Sequence, residues 1–227
     1  TKEEQLGEQP FTVTVNHLYL DGSVAAEAET VEVTEGDIYT VNAKTIEGYV
    51  PSHDYVKLHI LERTNVVTIY YSELDTWDGT SVSAGLSGEG TAENPYLIQS
   101  AADFAYLASQ LNNATVGQTE NFLGKYIKMT KSIDLNGKLL IAGNHSGWNK
   151  YQGFGGTFDG NNCTIRGINV EPTTGTSSAL FGCITKSGTL KNLIVYGNVK
   201  GSDTVGGVVA YQLGIVDNVT SYVTVAA

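Results

Sequence analysis

Apolar and polar positions alternate with a period of two in several stretches of the chain. That spacing puts alternate side chains on opposite faces of a strand. Phe11, Val13 and Val15 begin the pattern. Strands are predicted over 11–15, 30–33, 39–43, 55–60 and 66–71, separated by turn formers such as Asp21-Gly22 and Glu35-Gly36-Asp37. One stretch departs from this period. Ser100 can cap a helix, with Asp103 three residues later in a capping-box-like place. Phe104, Leu107, Ala108 and Leu111 then fall at i, i+3, i+4 and i+7, and Asn112-Asn113 ends the run. An amphipathic helix is predicted there, placed to cover the open end of the strand-rich region after it.

From Gly156 onward the pattern repeats. Ile165 and Ile168, Leu190 and Leu193, and Val216 and Val219 share one spacing, and the three units start 25 and 26 residues apart (190 − 165 and 216 − 190). Ala179-Leu180-Phe181-Gly182 precedes the second unit and Gly207-Val208-Val209-Ala210 the third. A repeat of this length signals a solenoid whose units bury their apolar faces by stacking. Units this short, rich in Gly, Asn, Val and Ile, suit one strand per side and a turn at each corner, a parallel β-helix, better than paired helices or an antiparallel sandwich. The expectation is that Ile165, Leu190 and Val216 stack in one column and Ile168, Leu193 and Val219 in another. The domain reading is a small β module (1–75), a Gly/Ser/Thr-rich boundary (76–99) in which Trp77 anchors the chain, and a helix-capped β-helix (100–227). The fold class is mainly all-β.

Charge narrows the partners. The 227 residues carry 13 Lys and Arg against 24 Asp and Glu, a formal charge of −11. Phosphate binding needs clustered cations, so the charge argues against nucleic acid as a partner and against anionic membrane surfaces. No apolar run is long enough to insert into a membrane. With no initiating Met, and with the last repeat ending the chain uncapped, a piece of a longer protein is expected. Two cysteines, Cys163 and Cys183, make no disulfide framework. Their separation is near one coil length, so they could be neighbours, but small buried hydrophobes are the commoner case.

Two family resemblances follow from these residues. Val205-Gly206-Gly207-Val208-Val209-Ala210-Tyr211, followed by Gly214-Ile215-Val216-Asp217-Asn218, resembles a GLUG repeat, with Val208 in place of the usual Leu and Ala210 in place of Gly. The run Gly156-Thr157-Phe158-Asp159-Gly160-Asn161-Asn162 is similar to the lead-in of such repeats, so the resemblance spans about 77–227. It implies a right-handed β-helix on a secreted or surface-attached bacterial protein, and no particular chemistry. Over about 10–73, the Thr30-Val31-Glu32-Val33 strand, Gly36-Asp37-Ile38-Tyr39-Thr40-Val41, Gly48-Tyr49-Val50 and Thr68-Ile69-Tyr70-Tyr71 resemble a MucBP-type module. That implies a β-grasp-like fold; some such modules bind mucin glycans.

Motifs for catalysis are missing from the sequence. His17, His53, His59 and His145 fall in separate segments without a zinc-protease spacing, and there is no nucleophile elbow or phosphate loop. Asp134, Asp159 and Asp217 are scattered singly rather than paired as in glycosidases, and Asp159-Gly160-Asn161-Asn162 is read as a turn rather than a calcium loop. Asn192 and Asn218 occupy equivalent positions and are expected to hydrogen-bond along the coil. The expectation is therefore a non-catalytic, extracellular, monomeric segment with no cofactor and no metal. It acts in adhesion or as a scaffold, with a host glycan or glycoprotein as partner. The alternative is the non-catalytic arm of a surface protease, or a carbohydrate-active β-helix. A ligand would meet the insertion at 138–154, where Trp148 and Tyr151 could stack on a sugar while Asn149 and Gln152 hydrogen-bond it, with the first β module as the competing site because of its mucin-binding relatives. In the preferred reading of the aromatics there, Trp148 and Phe154 fold back onto the coil instead.

Overall fold

The structure is a computed structural model that describes residues 9–145, 150–171 and 177–226, with only the backbone of Gln118 and Thr119. The lead at 1–8, Trp148 and Asn149 lie outside the described residues. The chain is mostly β and divides into two units, Thr1–Tyr71 and Ser72–Ala227.

The first unit holds β1 (Phe11–Tyr19), β2 (Val24–Val33), β3 (Ile38–Asn42), β4 (Val50–Pro51), β5 (Tyr55–His59) and β6 (Thr64–Ser72). The turn at Asp21-Gly22 returns β2 antiparallel to β1, while β6 pairs with β1 in parallel, giving the order β2-β1-β6-β4. β3 and β5 form a separate antiparallel pair. The alternation read from the sequence sets the core: Val13 and Val15 from β1 and Val67, Ile69 and Tyr71 from β6 are buried with Val41 and Ile60. His17 is buried among them, as the inward-facing member two residues after Val15.

His17 does not stay there unpaired. Its Nδ1 lies 2.9 Å from the Tyr71 hydroxyl, which accepts from the Lys44 backbone N–H at 3.0 Å. With that lone pair used, the phenol can donate to Nδ1, leaving Nε2 protonated 3.6 Å from the Glu29 carboxylate. Burial and the nearby Lys44 cation hold the imidazole pKa below its ordinary value, against the opposing pull of Glu29.

The second unit runs in chain order through β7 (Leu74–Thr76), β8 (Tyr96–Ile98), α1 (Ala101–Asn112), β9 (Gln118–Asn121), β10 (Tyr126–Met129) and β11 (Ser132–Asp134). It continues through β12 (Asn144–His145), β13 (Tyr151–Phe154), β14 (Thr157–Asp159), β15 (Thr164–Val170), β16 (Phe181–Ile184), β17 (Thr189–Lys200), β18 (Val209–Gln212) and β19 (Ile215–Ala226). Within 76–99, Tyr96–Ile98 is thus a strand and Trp77 is buried, its indole N–H donating to the Ser81 carbonyl at 2.8 Å.

Parallel pairing joins these strands into a curled sheet and a smaller companion. β8, β10, β14 and the first half of β17 form one ladder, continued by β19. β7, β11, β15 and the second half of β17 form the next, also continued by β19. β9, β13, β16 and β18 pair in the companion sheet. From β9 onward the chain visits the ladders in the same order each time. Tyr96, Ile127, Phe158, Leu190 and Val216 pair in succession along the first ladder. The last step, from Leu190 to Val216, is shorter than those before it.

This register corrects the first member of each expected column. Leu190 does pair with Val216 and Leu193 with Val219, but Ile165 pairs with Val195 and Ile168 with Gly197. Phe158 is the residue opposite Leu190. The cause is a wider corner: Thr164 comes five positions after its predecessor Asp159, whereas Ile194 comes three after Lys191. Asn161 and Asn162 both take left-handed φ there (52° and 61°), where the later turn uses Asn192 alone (53°). Opposite Ile168, Gly197 has a φ of 147°, and an added Cβ would stand 2.7 Å from the Ile168 N, so only glycine fits the bulge.

The corner asparagines stack as expected. Asn218 Nδ2 donates to Asn192 Oδ1 at 2.9 Å, and Asn192 Nδ2 to Asp159 Oδ1 at 3.0 Å. Inside, Phe104, Phe154, Phe158 and Phe181 meet in an aromatic cluster, several pairs edge-on with centroids 5.5–6.4 Å apart. Helix α1 brings Phe104 into it and buries Leu107, Ala108 and Leu111. Ser100 caps the helix by accepting from the Asp103 N–H. Cys163 and Cys183 are unbonded and buried, and desolvation pushes both thiols up to about 12.

Candidate functional site

The insertion at 138–154 leaves the companion sheet as a hairpin. Ala142 still bridges to Phe181, β12 then pairs antiparallel with β13, and Phe154 is back in register with Ile184. Phe154 is fully buried, the fold-back expected of it. Tyr151 and Gln152 are neighbours on β13, so their side chains leave opposite faces and do not converge on one ligand. Gln152 is nearly buried, and its amide donates to the Asn112 and Ala114 carbonyls. Asn112, at the end of α1, completes the joint: its side chain donates to the Ile141 carbonyl and accepts from the Gly143 N–H, both at 2.8 Å. This amide therefore serves the hairpin base. Tyr151 is half-buried and its phenol is raised in pKa, chiefly by desolvation. His145 stacks on Tyr211 with centroids 3.8 Å apart.

Two of the three scattered aspartates, Asp134 and Asp159, are tied into corners. Asp134 Oδ1 accepts from the Asn136 N–H at 2.7 Å. Asp159 Oδ1 accepts likewise from Asn161 at 2.8 Å, and its other oxygen faces Lys191 at 3.6 Å. Each carboxylate closes a local turn two residues on. Among the described residues, no group of three or more His, Cys, Asp or Glu side chains could hold a metal ion.

A different place collects aromatic rings with unspent polar groups. Tyr96 on β8, Tyr106 and Gln110 on α1, and Phe122 line a cleft of about 250 Å³ with Gly85 and Leu86. Tyr106 and Gln110 are four apart on the helix and so share a face. That face is not the core face of Phe104, Leu107 and Leu111, so Tyr106 is half-exposed. Tyr96 starts the column continued by Ile127 and Phe158 but is only half-buried, with Lys125 Nζ 5.9 Å from its ring centroid. The loop before it is held in place: Leu97 N–H donates to Ser87 O at 2.9 Å and Tyr126 N–H to Gly90 O at 3.0 Å. Gly90 has a φ of 73°, and an added Cβ would come within 2.5 Å of the Tyr96 ring. Phe122 has a φ of 60°, a strained value for a bulky side chain, in a turn closed by Lys125 N–H to Phe122 O at 2.9 Å. Its ring lies 6.1 Å from that of Phe154, so the cleft wall rests on the core cluster. Among the described residues, none hydrogen-bonds the Tyr96 or Tyr106 hydroxyl or the Gln110 amide. Sequence reasoning passed over this cleft. The available signal was Tyr106, an aromatic off the apolar stripe of the helix.

Residues 12–72 match the MucBP domain family. The chain is 30% identical over 131 residues to Halomucin of Haloquadratum walsbyi, an alignment covering 57% of this chain and 1% of that protein. It is 34% identical over 151 residues to a putative Gly-rich membrane protein of Evansella cellulosilytica, covering 62% of this chain and 16% of the relative. The chain thus spans a small part of the length of both. No solved structure matches. Among the described residues, no helix is long and apolar enough to cross a membrane.

Proposed function

We propose that this chain is a non-catalytic adhesion and scaffold segment of a bacterial cell-surface or secreted protein, exposed outside the cell and directed at glycans or glycoproteins. The match of residues 12–72 to the MucBP family carries the reading. The relatives' names, Halomucin and a Gly-rich membrane protein, agree with a surface setting. In this reading the second unit is a right-handed parallel β-helix with GLUG-like repeats, capped at one end by α1. The constant order in which the chain visits its ladders supports it, as does the right-handed preference of parallel crossovers. Using aspartates to close corners rather than to face each other favours display over hydrolysis. The test is surface plasmon resonance of the intact chain over immobilised mucin and enzymatically deglycosylated mucin. Retention that falls on deglycosylation supports the proposal. Equal retention on both surfaces, or release of sugar from the mucin, refutes it.

A further inference from the structure

We propose that the cleft between Tyr96, Tyr106, Gln110 and Phe122 is a binding subsite for a single pyranose ring of a glycan. This rests on the adhesion reading and gives it a specific place in the second unit. A pyranose offers faces of C–H groups ringed by hydroxyls, and it is matched by aromatic rings bearing nearby polar groups rather than by charge. The cleft has that composition: three aromatic side chains, two of them phenols, and one primary amide. Its lining residues include no carboxylate, amine or imidazole, and the Lys125 ammonium stands 5.9 Å from the Tyr96 ring centroid. The Tyr96 and Tyr106 hydroxyls and the Gln110 amide have no hydrogen-bond partner among the described residues, so no described group competes with a ligand for them.

Size points the same way. About 250 Å³ is below the roughly 300–1,000 Å³ of pockets that enclose drug-sized ligands, and it suits one ring of a longer chain. The cleft is also built. Tyr106 and Gln110 stand on a capped helix, Tyr96 is in a ladder strand, and Phe122 is braced on Phe154. Rigid aromatics lose little side-chain entropy on binding. The left-handed backbone at Phe122 is the independent sign. A turn with that φ is met without strain by glycine, yet here it carries a phenyl ring that walls the cleft.

The experiment is saturation-transfer difference NMR on the intact chain with methyl β-galactoside, methyl α-N-acetylgalactosaminide and methyl β-glucoside. It is paired with the mucin surface described above. Irradiating aromatic protons should saturate at least one pyranoside. Tyr106→Ala should weaken that binding at least about tenfold through loss of a ring wall. Gln110→Ala, at an exposed position, should weaken it several-fold while leaving the unfolding midpoint unchanged. Tyr106→Phe should fall between wild type and Tyr106→Ala, separating stacking from the hydroxyl. Mucin retention with no effect of any of these variants would overturn the subsite and leave the adhesion reading standing. Failure of the wild type to take any pyranoside while still binding mucin would do the same. Loss of glycan-dependent mucin binding by the wild type itself would remove both.

Discussion

Replacing Leu107 by Ala tests whether α1 is part of the core or an attachment to it. Leu107 is 0% exposed, between Phe104 and Leu111 on the helix face that meets the aromatic cluster. The substitution removes three carbon atoms. At about 0.8 kcal/mol per buried methylene, the transfer part is about 2.4 kcal/mol. Helix α1 packs against β8 and β13, so a cavity contribution adds to this wherever that packing does not relax, for a total within about 2–5 kcal/mol. The assay has a built-in separation. The sequence carries no tryptophan before Trp77, and Trp77 is buried in the second unit, so tryptophan emission during urea unfolding does not report on the first. The mutant should unfold at lower urea with an unchanged slope. Leu123→Ala is the control: the same chemistry at a side chain 58% exposed, expected to shift stability by less than about 0.5 kcal/mol. If the two variants lie within about 0.5 kcal/mol of each other, the helix does not close the core and the packing argument is wrong.

Asn192 combines a left-handed backbone with two ladder hydrogen bonds. Asn192→Gly should cost about 1–3 kcal/mol from the bonds alone, and Asn192→Ala roughly 1 kcal/mol more from backbone strain; equal losses in urea unfolding would refute that division. His17 titrates below its ordinary value, so the folded module keeps it neutral while the unfolded chain gains a proton as pH falls below about 6.5. Its contribution is present above that pH and is lost as pH falls through the folded pKa. An NMR titration of the His17 ring with a midpoint at or above 6.5 would contradict this.

Much of the architecture was readable from periodicity. Phe11, Val13 and Val15 announced the central strand of the first unit. The spacing of Phe104, Leu107, Ala108 and Leu111 announced the only helix among the described residues, down to its Ser100 cap. The repeat identified the pairing of Leu190 with Val216 but misplaced Ile165. Apolar spacing cannot count residues in a corner, and Asn161 and Asn162 lengthen one without changing the motif beside it. Strands β7 and β8 escaped because three residues are too few to show a period. At the site, Gln152 looked available because its partners, the Asn112 and Ala114 carbonyls, come from the last residue of α1 and the turn just after it, well back along the chain. The cleft was invisible for a related reason. Tyr96, Tyr106 and Phe122 are brought together by three different segments, and only Tyr106 broke a local rule.

The corners that confused the repeat also leave this architecture room for variation. Pairing constrains only the short runs that sit in the ladders. Between them the chain is free in length, as the unequal steps from Phe158 to Leu190 and from Leu190 to Val216 show. Closing a longer flexible corner loop costs only about 0.6 kcal/mol per doubling of length, far less than shifting one strand by a residue and turning its buried side chains outward. The hairpin between Ala142 and Phe154 is one such excursion, leaving and rejoining without disturbing its neighbours. A lineage could lengthen, recolour or exchange what projects from a corner while inheriting the stacked interior intact. What the outside world meets and what holds the molecule together can thus evolve at different rates.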